Sequence, residues 1–146
     1  EGAYFYQWDF GDGQYAYERA PLHVYDGLST YQAQVDVTTD IGCTDVAIVD
    51  VYGDVLFYIP TAFTPDNDGL NDALEITGRQ IRLFEIWIYN RWGELVYNSR
   101  DLDEAWIGDV NGGTHFAPNG VYHWIIKASG FDTDAQEFRG FVQLMR

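Results

Sequence analysis

The stretch that decides the fold is Ile86-Trp-Ile-Tyr-Asn-Arg-Trp-Gly-Glu-Leu-Val-Tyr97, in which two apolar runs flank a polar centre. The centre, Asn90-Arg91-Trp92-Gly93, predicts the turn of a β-hairpin with Gly93 at a positive φ. In the first run the isoleucines alternate with Trp87 and Tyr89, so both faces are apolar. This pattern is typical of a central strand covered on both sides, or of a strand with one side that docks a partner.

Further strand-like runs lie on both sides of this hairpin, and no segment sustains a helical period. In the longer part of the chain the predicted strands are residues 55–59, 73–77, 84–90, 94–98, 121–129 and 137–145. Residues 100–119 are the least regular stretch, which we expect Trp106 and Phe116 to anchor. Short strands separated by turn residues predict an all-β sandwich.

The first part of the chain alternates in the same way. Tyr6, Trp8 and Phe10 share one face of a predicted first strand, within an aromatic run that starts at Ala3. Residues 31–38 alternate apolar and polar side chains, as half-buried antiparallel strands do. Residues 46–51 predict a strand that is buried more evenly on both faces. Gly53-Asp54 then interrupts the pattern, which places a domain boundary between residues 1–53 and 54–146.

The charge of the chain limits its partners. Eight basic and 23 acidic residues give a net charge of −15, and neither part of the chain has a basic stripe. Nucleic acid and anionic membrane are therefore poor partners, whereas divalent cations suit such a chain. No run approaches the ~18 apolar residues of a membrane span, so we expect no membrane insertion.

The chain opens directly in a strand-like run, with no export signal in front of it. We therefore expect it to be the C-terminal piece of a longer protein. Cys43 is the single cysteine, so it has no partner for an internal disulfide.

Three motifs of the first part follow one another: Tyr6-Gln-Trp-Asp-Phe-Gly-Asp-Gly13, Pro21-Leu-His-Val-Tyr25 and Gly42-Cys-Thr-Asp45. Together they resemble the polycystic-kidney-disease (PKD) family of immunoglobulin-like extracellular domains, over residues 4–51. The strands with which PKD domains usually begin are absent, so the resemblance implies an incomplete first unit. It also implies a disulfide between Cys43 and a cysteine upstream of Glu1. The alternative for Cys43 is a small buried hydrophobic side chain.

Five motifs of the second part follow in order: Phe57-Tyr-Ile-Pro-Thr-Ala-Phe-Thr-Pro-Asp-Asn-Asp-Gly-Leu-Asn-Asp72, the hairpin quoted above, Trp106 with Gly108, Asn119-Gly-Val-Tyr122, and Gly140-Phe-Val-Gln-Leu-Met-Arg146. They resemble the gliding-motility-associated C-terminal domain, which is the type B sorting domain of the type IX secretion system of Bacteroidota. With both resemblances the expected fold is all-β, with two immunoglobulin-like β-sandwich units of which the first is incomplete.

This second resemblance implies a non-catalytic targeting domain. Type IX machinery of the outer membrane would recognise it, and its passenger would leave a Gram-negative cell for the cell surface or the medium. The alternative is a carbohydrate-binding or adhesive module that binds a surface glycan through exposed aromatic rings. The candidate rings are Tyr15, Tyr17, Tyr52, Trp87 and Tyr89, and the competing interpretation is that they pack a sandwich core.

The run from Asp66 to Asp72 carries the residues that suit a metal. Asp66, Asp68 and Asp72 offer carboxylates at alternating positions, Gly69 permits a sharp turn, and the Leu70 carbonyl can add a ligand. Hard oxygen ligands in this pattern predict Ca²⁺, although the bidentate Glu of an EF-hand is not at its required spacing. The alternative is a turn in which the side chains accept hydrogen bonds from backbone amides.

The hairpin turn is the candidate for partner recognition. Arg91 beside Trp92, with Asn90 and Gly93 around them, suggests a stacked pair of the kind that binds a partner. The alternative is that Trp92 covers one end of the sandwich.

No set of residues predicts catalysis. His23, His115 and His123 are scattered, no Ser or Cys occupies a nucleophile elbow, and Asp9 and Asp12 flank a turn without a matching acid or base.

Overall fold

The computed structural model describes residues 4–146, so Ala3 lies outside the described residues. These residues form eleven β-strands and no helix, which confirms the all-β prediction. None of their segments is a helix long and apolar enough to span a bilayer. The chain divides between Asp54 and Val55 into two compact units. Asp54 belongs with the first because its amide donates to the carbonyl of Gly27 at 2.8 Å.

The first unit is a four-stranded antiparallel sheet in the order β2-β1-β3-β4. Its strands are β1 (Tyr4–Asp9), β2 (Tyr15–Ala16), β3 (Tyr31–Thr39) and β4 (Thr44–Val51). Phe10 and Ala33 are its buried apolar residues. The His23 ring stacks on Phe10 with ring centres 3.9 Å apart, and the Tyr25 hydroxyl donates to the Phe10 carbonyl at 3.1 Å. The predicted aromatic face thus has one well-packed end, around Phe10.

The prediction that residues 46–51 are buried on both faces is wrong. β4 is an edge strand that pairs only with β3, and Val46, Ile48 and Val49 are 51%, 57% and 56% exposed. An edge strand has a neighbouring strand on one side only. In addition, the described part of this unit has no second sheet that could cover a face of β4. A continuous apolar run therefore does not distinguish a buried strand from an apolar edge strand of a single sheet.

The second unit contains a five-stranded sheet in the order β6-β11-β10-β8-β9 and a two-stranded sheet of β5 and β7. Their bounds are β5 (Leu56–Tyr58), β6 (Ala62–Phe63), β7 (Thr77–Arg79), β8 (Leu83–Tyr89), β9 (Leu95–Ser99), β10 (Gly120–Ser129) and β11 (Gln136–Leu144). The small sheet packs on the large one where the Phe57 ring meets Phe138 edge-on, with ring centres 4.6 Å apart. All strand pairs are antiparallel except β6 with β11.

The core of the second unit lies on one face of the large sheet. Ile86 and Ile88 of β8 are 1% and 0% exposed, whereas the alternating Trp87 and Tyr89 are half-buried on the opposite face. The same alternation buries Tyr122, Ile126, Val142 and Leu144. β8 is therefore a central strand, and of its two apolar faces only the isoleucine face enters the core.

Three details of the sequence prediction need correction. Residues 73–77 are not a strand, because Leu74 forms only an isolated bridge with Trp106 before the chain turns to pair Thr77–Arg79 with β5. β6 was not predicted, since a two-residue strand leaves no alternation. Trp106 is fully buried as expected, but Phe116 is 65% exposed and does not anchor the 100–119 segment from within.

Gly140 leaves room for the indole of Trp124, which is opposite it in the β10–β11 register. A Cβ built at Gly140 would overlap the six-membered ring of Trp124. We expect Gly140→Ala to lower the free energy of unfolding by ~1–3 kcal/mol, the usual cost of overpacking. Urea denaturation followed by near-UV circular dichroism measures it. Gln143→Ala, at an exposed position of the same strand, should change stability by at most ~0.5 kcal/mol; equal effects of both substitutions would contradict this account.

The first unit should depend on acid through Asp12. Its Oδ2 lies 2.7 Å from Nε2 of His23. Burial favours a higher pKa for Asp12, but hydrogen bonds from His23 and the Gln14 amide outweigh it, so the pKa lies below its ordinary value of 3.8. A lowered folded pKa stabilises the fold above the unfolded pKa, and this stabilisation is lost as the pH falls through the folded pKa.

We therefore expect the first unit to loosen below about pH 4, and Asp12→Asn to remove that dependence while weakening the unit at neutral pH. The NMR signal of the Trp8 indole N–H, which donates to the Glu18 carbonyl at 3.0 Å, reports on this unit. Asp40→Asn, at an exposed turn, is the matched control and should leave the acid dependence as in the unsubstituted chain.

Candidate functional site

The 90–93 turn is held in shape by Asn90. The Asn90 Oδ1 accepts hydrogen bonds from the amides of Trp92 and Glu94, both at 3.0 Å, and its Nδ2 donates to Glu94 Oε2 at 2.7 Å. Gly93 has the predicted positive φ, 82°, and its amide donates to the Asn90 carbonyl at 3.0 Å. The predicted hairpin between β8 and β9 is thus present, and its turn is closed by local hydrogen bonds.

Arg91 and Trp92 stack on each other at the tip of this turn. The guanidinium carbon of Arg91 lies 4.3 Å from the centre of the Trp92 ring. Trp92 is 65% exposed, so most of its surface faces solvent rather than the end of the sandwich. The pair is therefore displayed on the surface, on a backbone whose conformation the turn already determines.

A groove of about 370 Å³ separates this turn from the start of β10. Its walls are Asn90, Arg91 and Trp92 on one side and residues 118–122 on the other. The groove exists because β8 pairs with β10 only as far as His123, opposite Tyr89, whereas β10 continues along β11 back to Gly120. We name it the hairpin groove.

Sequence reasoning missed the second wall of the hairpin groove. Pro118, Asn119 and Gly120 have the composition of a simple turn, and nothing in their order predicts which loop they face. The residue that could have indicated this wall is Tyr122, an aromatic residue two positions after that turn. Its hydroxyl donates to the Pro118 carbonyl at 2.6 Å and fixes the turn against the strand.

Arg146 ties the wall to the irregular segment. Its Nη1 donates to the Ala117 carbonyl at 2.7 Å and its Nη2 to the Gly108 carbonyl at 3.0 Å. Its backbone amide donates to Asn119 Oδ1 at 2.9 Å, and Asn119 Nδ2 donates back to the Arg146 carbonyl at 3.1 Å. The guanidinium also lies over the Phe116 ring, 4.7 Å from its centre.

Two positive charges lie near the Tyr122 hydroxyl beside the groove. Burial raises the pKa of Tyr122, while the positive charges of Arg146 and Arg91 act in the opposite direction. Both guanidinium groups are thus close enough to the Tyr122 hydroxyl to influence it.

The 66–72 turn brings its three carboxylates together. One oxygen from each of Asp66, Asp68 and Asp72 lies within 4.8 Å of the others. The alternative of a self-capped turn is also present: Asp72 accepts from the amides of Asn67 and Gly69 at 2.7 and 2.8 Å, through different oxygens.

The remaining predicted ligands have local partners as well. Asp66 Oδ1 accepts from the Asp68 amide at 3.2 Å, and Asp68 Oδ1 from the Leu70 amide at 2.7 Å. The Leu70 carbonyl accepts from Thr64 Oγ1 at 3.4 Å. Each Asp has at least one oxygen in a hydrogen bond to the turn, and Ca²⁺ at this turn stays a prediction.

Two of the three histidines pack against aromatic rings. His23 stacks on Phe10, as described, and His123 packs against Phe141 with ring centres 4.5 Å apart. His115 is exposed, and its carbonyl accepts from the Val110 amide at 2.9 Å within the 109–116 loop.

Cys43 is exposed in the turn between β3 and β4, so the alternative of a buried hydrophobic side chain is wrong. Its amide donates to Thr39 Oγ1 at 3.0 Å and its carbonyl accepts from the Thr39 amide at 2.8 Å, which holds the cysteine at the turn. The disulfide to an upstream cysteine stays a prediction.

The five aromatic residues proposed as a glycan platform do not share one environment. Tyr15 and Tyr17 are 56% and 71% exposed and Tyr52 is half-buried, all in the first unit. Trp87 and Tyr89 are half-buried on the second unit, where Nζ of Lys127 lies 5.7 Å from the centre of the Trp87 ring.

Comparison with protein families matches both units. The model of the PKD domain matches residues 2–52, and that of the CHU_C type IX secretion signal domain matches residues 57–144, more than half of the chain. Both resemblances found in the sequence are confirmed. The second match gives the chain a sorting role in secretion, and export of whatever it is attached to. The chain belongs to the family of CHU_C type IX secretion signal domains and carries a PKD domain before the signal domain.

Proposed function

We propose that the second unit is a non-catalytic tag that type IX machinery in the outer membrane of Bacteroidota reads to deliver a passenger to the cell surface or medium. The observation that carries the proposal is the family match over 57–144, on a compact unit with its own buried core. A folded unit offers the machinery a surface rather than an extended peptide.

The surface that we assign to recognition is the turn Asn90, Arg91, Trp92 and Gly93. Trp and Arg are enriched among residues that dominate binding energy at interfaces. Here they stack on each other, the Trp is 65% exposed, and Asn90 preorganises the backbone beneath them. Little ordering entropy would then be lost when a partner binds.

Binding of a surface glycan by the first unit is a second candidate. Tyr4 and Tyr17, 59% and 71% exposed, line a surface groove of about 260 Å³ together with Gln7, Asp36 and Thr38. Exposed aromatic rings beside carboxylate, amide and hydroxyl groups suit a sugar, whose faces are apolar and whose edges form hydrogen bonds.

A Ca²⁺ ion at Asp66, Asp68, Leu70 and Asp72 is a further part of the proposal. Three carboxylates within 4.8 Å of one another, on an exposed turn, repel one another unless a cation balances them. The hydrogen bonds described above shape the turn but leave oxygens of Asp66 and Asp68 for a ligand.

Calcium and a self-capped turn predict different melting behaviour. With Ca²⁺ bound, we expect saturating CaCl₂ to raise the melting temperature above that in excess chelator, because the ion binds only the folded turn. Asp68→Asn keeps an oxygen for the Leu70 amide and removes a charge, so it should reduce the difference. Identical melting of the unsubstituted chain in calcium and in chelator would leave only the self-capped turn.

The sorting proposal is tested by export of a reporter. An export signal, a fluorescent reporter and residues 1–146 are joined and expressed in a gliding bacterium. We expect the reporter in the medium or on the surface, whereas the same fusion without residues 55–146 should remain in the periplasm. Retention of both fusions would contradict the tag. It would favour the glycan module, because binding a glycan does not require that the domain direct export.

A further inference from the structure

We propose that the hairpin groove binds an acidic side chain of a partner protein, with the carboxylate on the Arg91 guanidinium and the aliphatic stem against Trp92 and Val121. The inference rests on the proposed function, because it names the chemistry that the machinery presents to this surface. It goes further in assigning residues 118–122 to the interface.

Arg91 is the available donor in the groove. Among residues 4–146, the ion pairs of arginine are Arg100 with Glu85 and Arg139 with Glu137, so Arg91 has no carboxylate within 4 Å. The Arg91 guanidinium stacks on the Trp92 ring, which orients its plane but satisfies none of its N–H groups. Glu94, the nearest acid in sequence, accepts from Asn90 Nδ2 instead.

The other polar side chains of the groove are already paired. Asn119 uses its amide oxygen and nitrogen on Arg146, Asn90 uses both ends of its amide within the turn, and the Tyr122 hydroxyl donates to Pro118. A sugar needs several donors and acceptors around its ring, which this groove does not offer. A single carboxylate on an apolar stem needs one bidentate donor and apolar walls.

The apolar walls of the hairpin groove and the positive charges near it suit an acidic side chain. Trp92, Pro118 and Val121 supply apolar surface, and Val121 is 49% exposed. The volume of about 370 Å³ is at the small end of ligand pockets, so it fits a few side chains rather than a large ligand. Arg146 adds a second positive charge near Tyr122, which favours an anion locally, against the net charge of −15 of the whole chain.

Binding is tested on the whole chain with defined probes. The first is a capped hexapeptide that alternates glutamate with valine, the second its glutamine counterpart, and the third a digalacturonate. We expect only the glutamate peptide to shift the NMR signal of the Trp92 indole N–H, and high salt to weaken the effect. Arg91→Gln should weaken binding roughly tenfold, as expected for one charge-assisted contact. Arg79→Gln, at an exposed arginine of β7, should bind as the unsubstituted chain does.

Three results would overturn the proposal: equal shifts with the glutamine peptide, unchanged affinity in Arg91→Gln, or a response to digalacturonate alone, which would make the groove a site for acidic sugars.

The export fusion separates this inference from the sorting role. Arg91→Glu should abolish export at an unchanged melting temperature, and Arg79→Glu should be exported normally. Arg91→Lys should retain part of the export, because the ammonium keeps the charge but loses the bidentate geometry. Failure of the unsubstituted fusion would remove the sorting role itself. Normal export of both the unsubstituted fusion and Arg91→Glu would remove only the acidic partner. Equal loss of export in Arg91→Lys and Arg91→Glu, with both variants folded, would contradict a carboxylate as the group that the partner presents, because Lys keeps the positive charge and Glu reverses it.

Discussion

The second unit depends on the burial of Trp106. This side chain is fully buried, its Nε1 donates to the Asp109 carbonyl at 2.8 Å, and its ring contacts those of Phe63, Tyr97 and Tyr122. Its backbone forms the bridge to Leu74 on the opposite side. Through its ring and its backbone, this one residue therefore connects the large sheet, the 100–119 segment and the chain that leads into β7. Indole burial contributes apolar area, and the bond to Asp109 removes the cost of desolvating its N–H.

The loops around this core take their shapes from short-range hydrogen bonds. Asn90 closes the hairpin turn and Asp72 closes the 66–72 turn. Arg146 joins the 106–117 loop to the end of the last strand through two backbone carbonyls. Because these contacts are local or lie at the end of the chain, the exposed turns are well defined although few of their side chains are buried. The candidate recognition surface is thus a rigid feature on a packed sandwich.

The strands and the hairpin turn could be predicted from sequence because alternation and a glycine after Asn-Arg-Trp are local signals. The exposure of residues 46–51 could not be predicted in this way, since it depends on which other strands cover β4. The strand prediction for residues 73–77 was wrong for a similar reason. Leu74 pairs with Trp106, 32 positions later, and no local pattern indicates that contact. In the candidate site, Asn90 to Gly93 were found from their own sequence, whereas the wall from Pro118 to Tyr122 arises from the divergence of two strand pairings.

The place of β11 has a consequence for the order in which this unit can form. β11 lies between β6 and β10, so residues 136–144 join β6, from the early part of the unit, to β10, the strand that precedes them in sequence. A ribosome makes these residues last within the unit, and contacts of such long sequence separation cannot form earlier. The sheet must therefore remain open throughout its own synthesis. Until residue 144 has been added, β6 and one edge of β10 lack their partner strand, so any factor that acts on the nascent chain before that point meets an incomplete sheet.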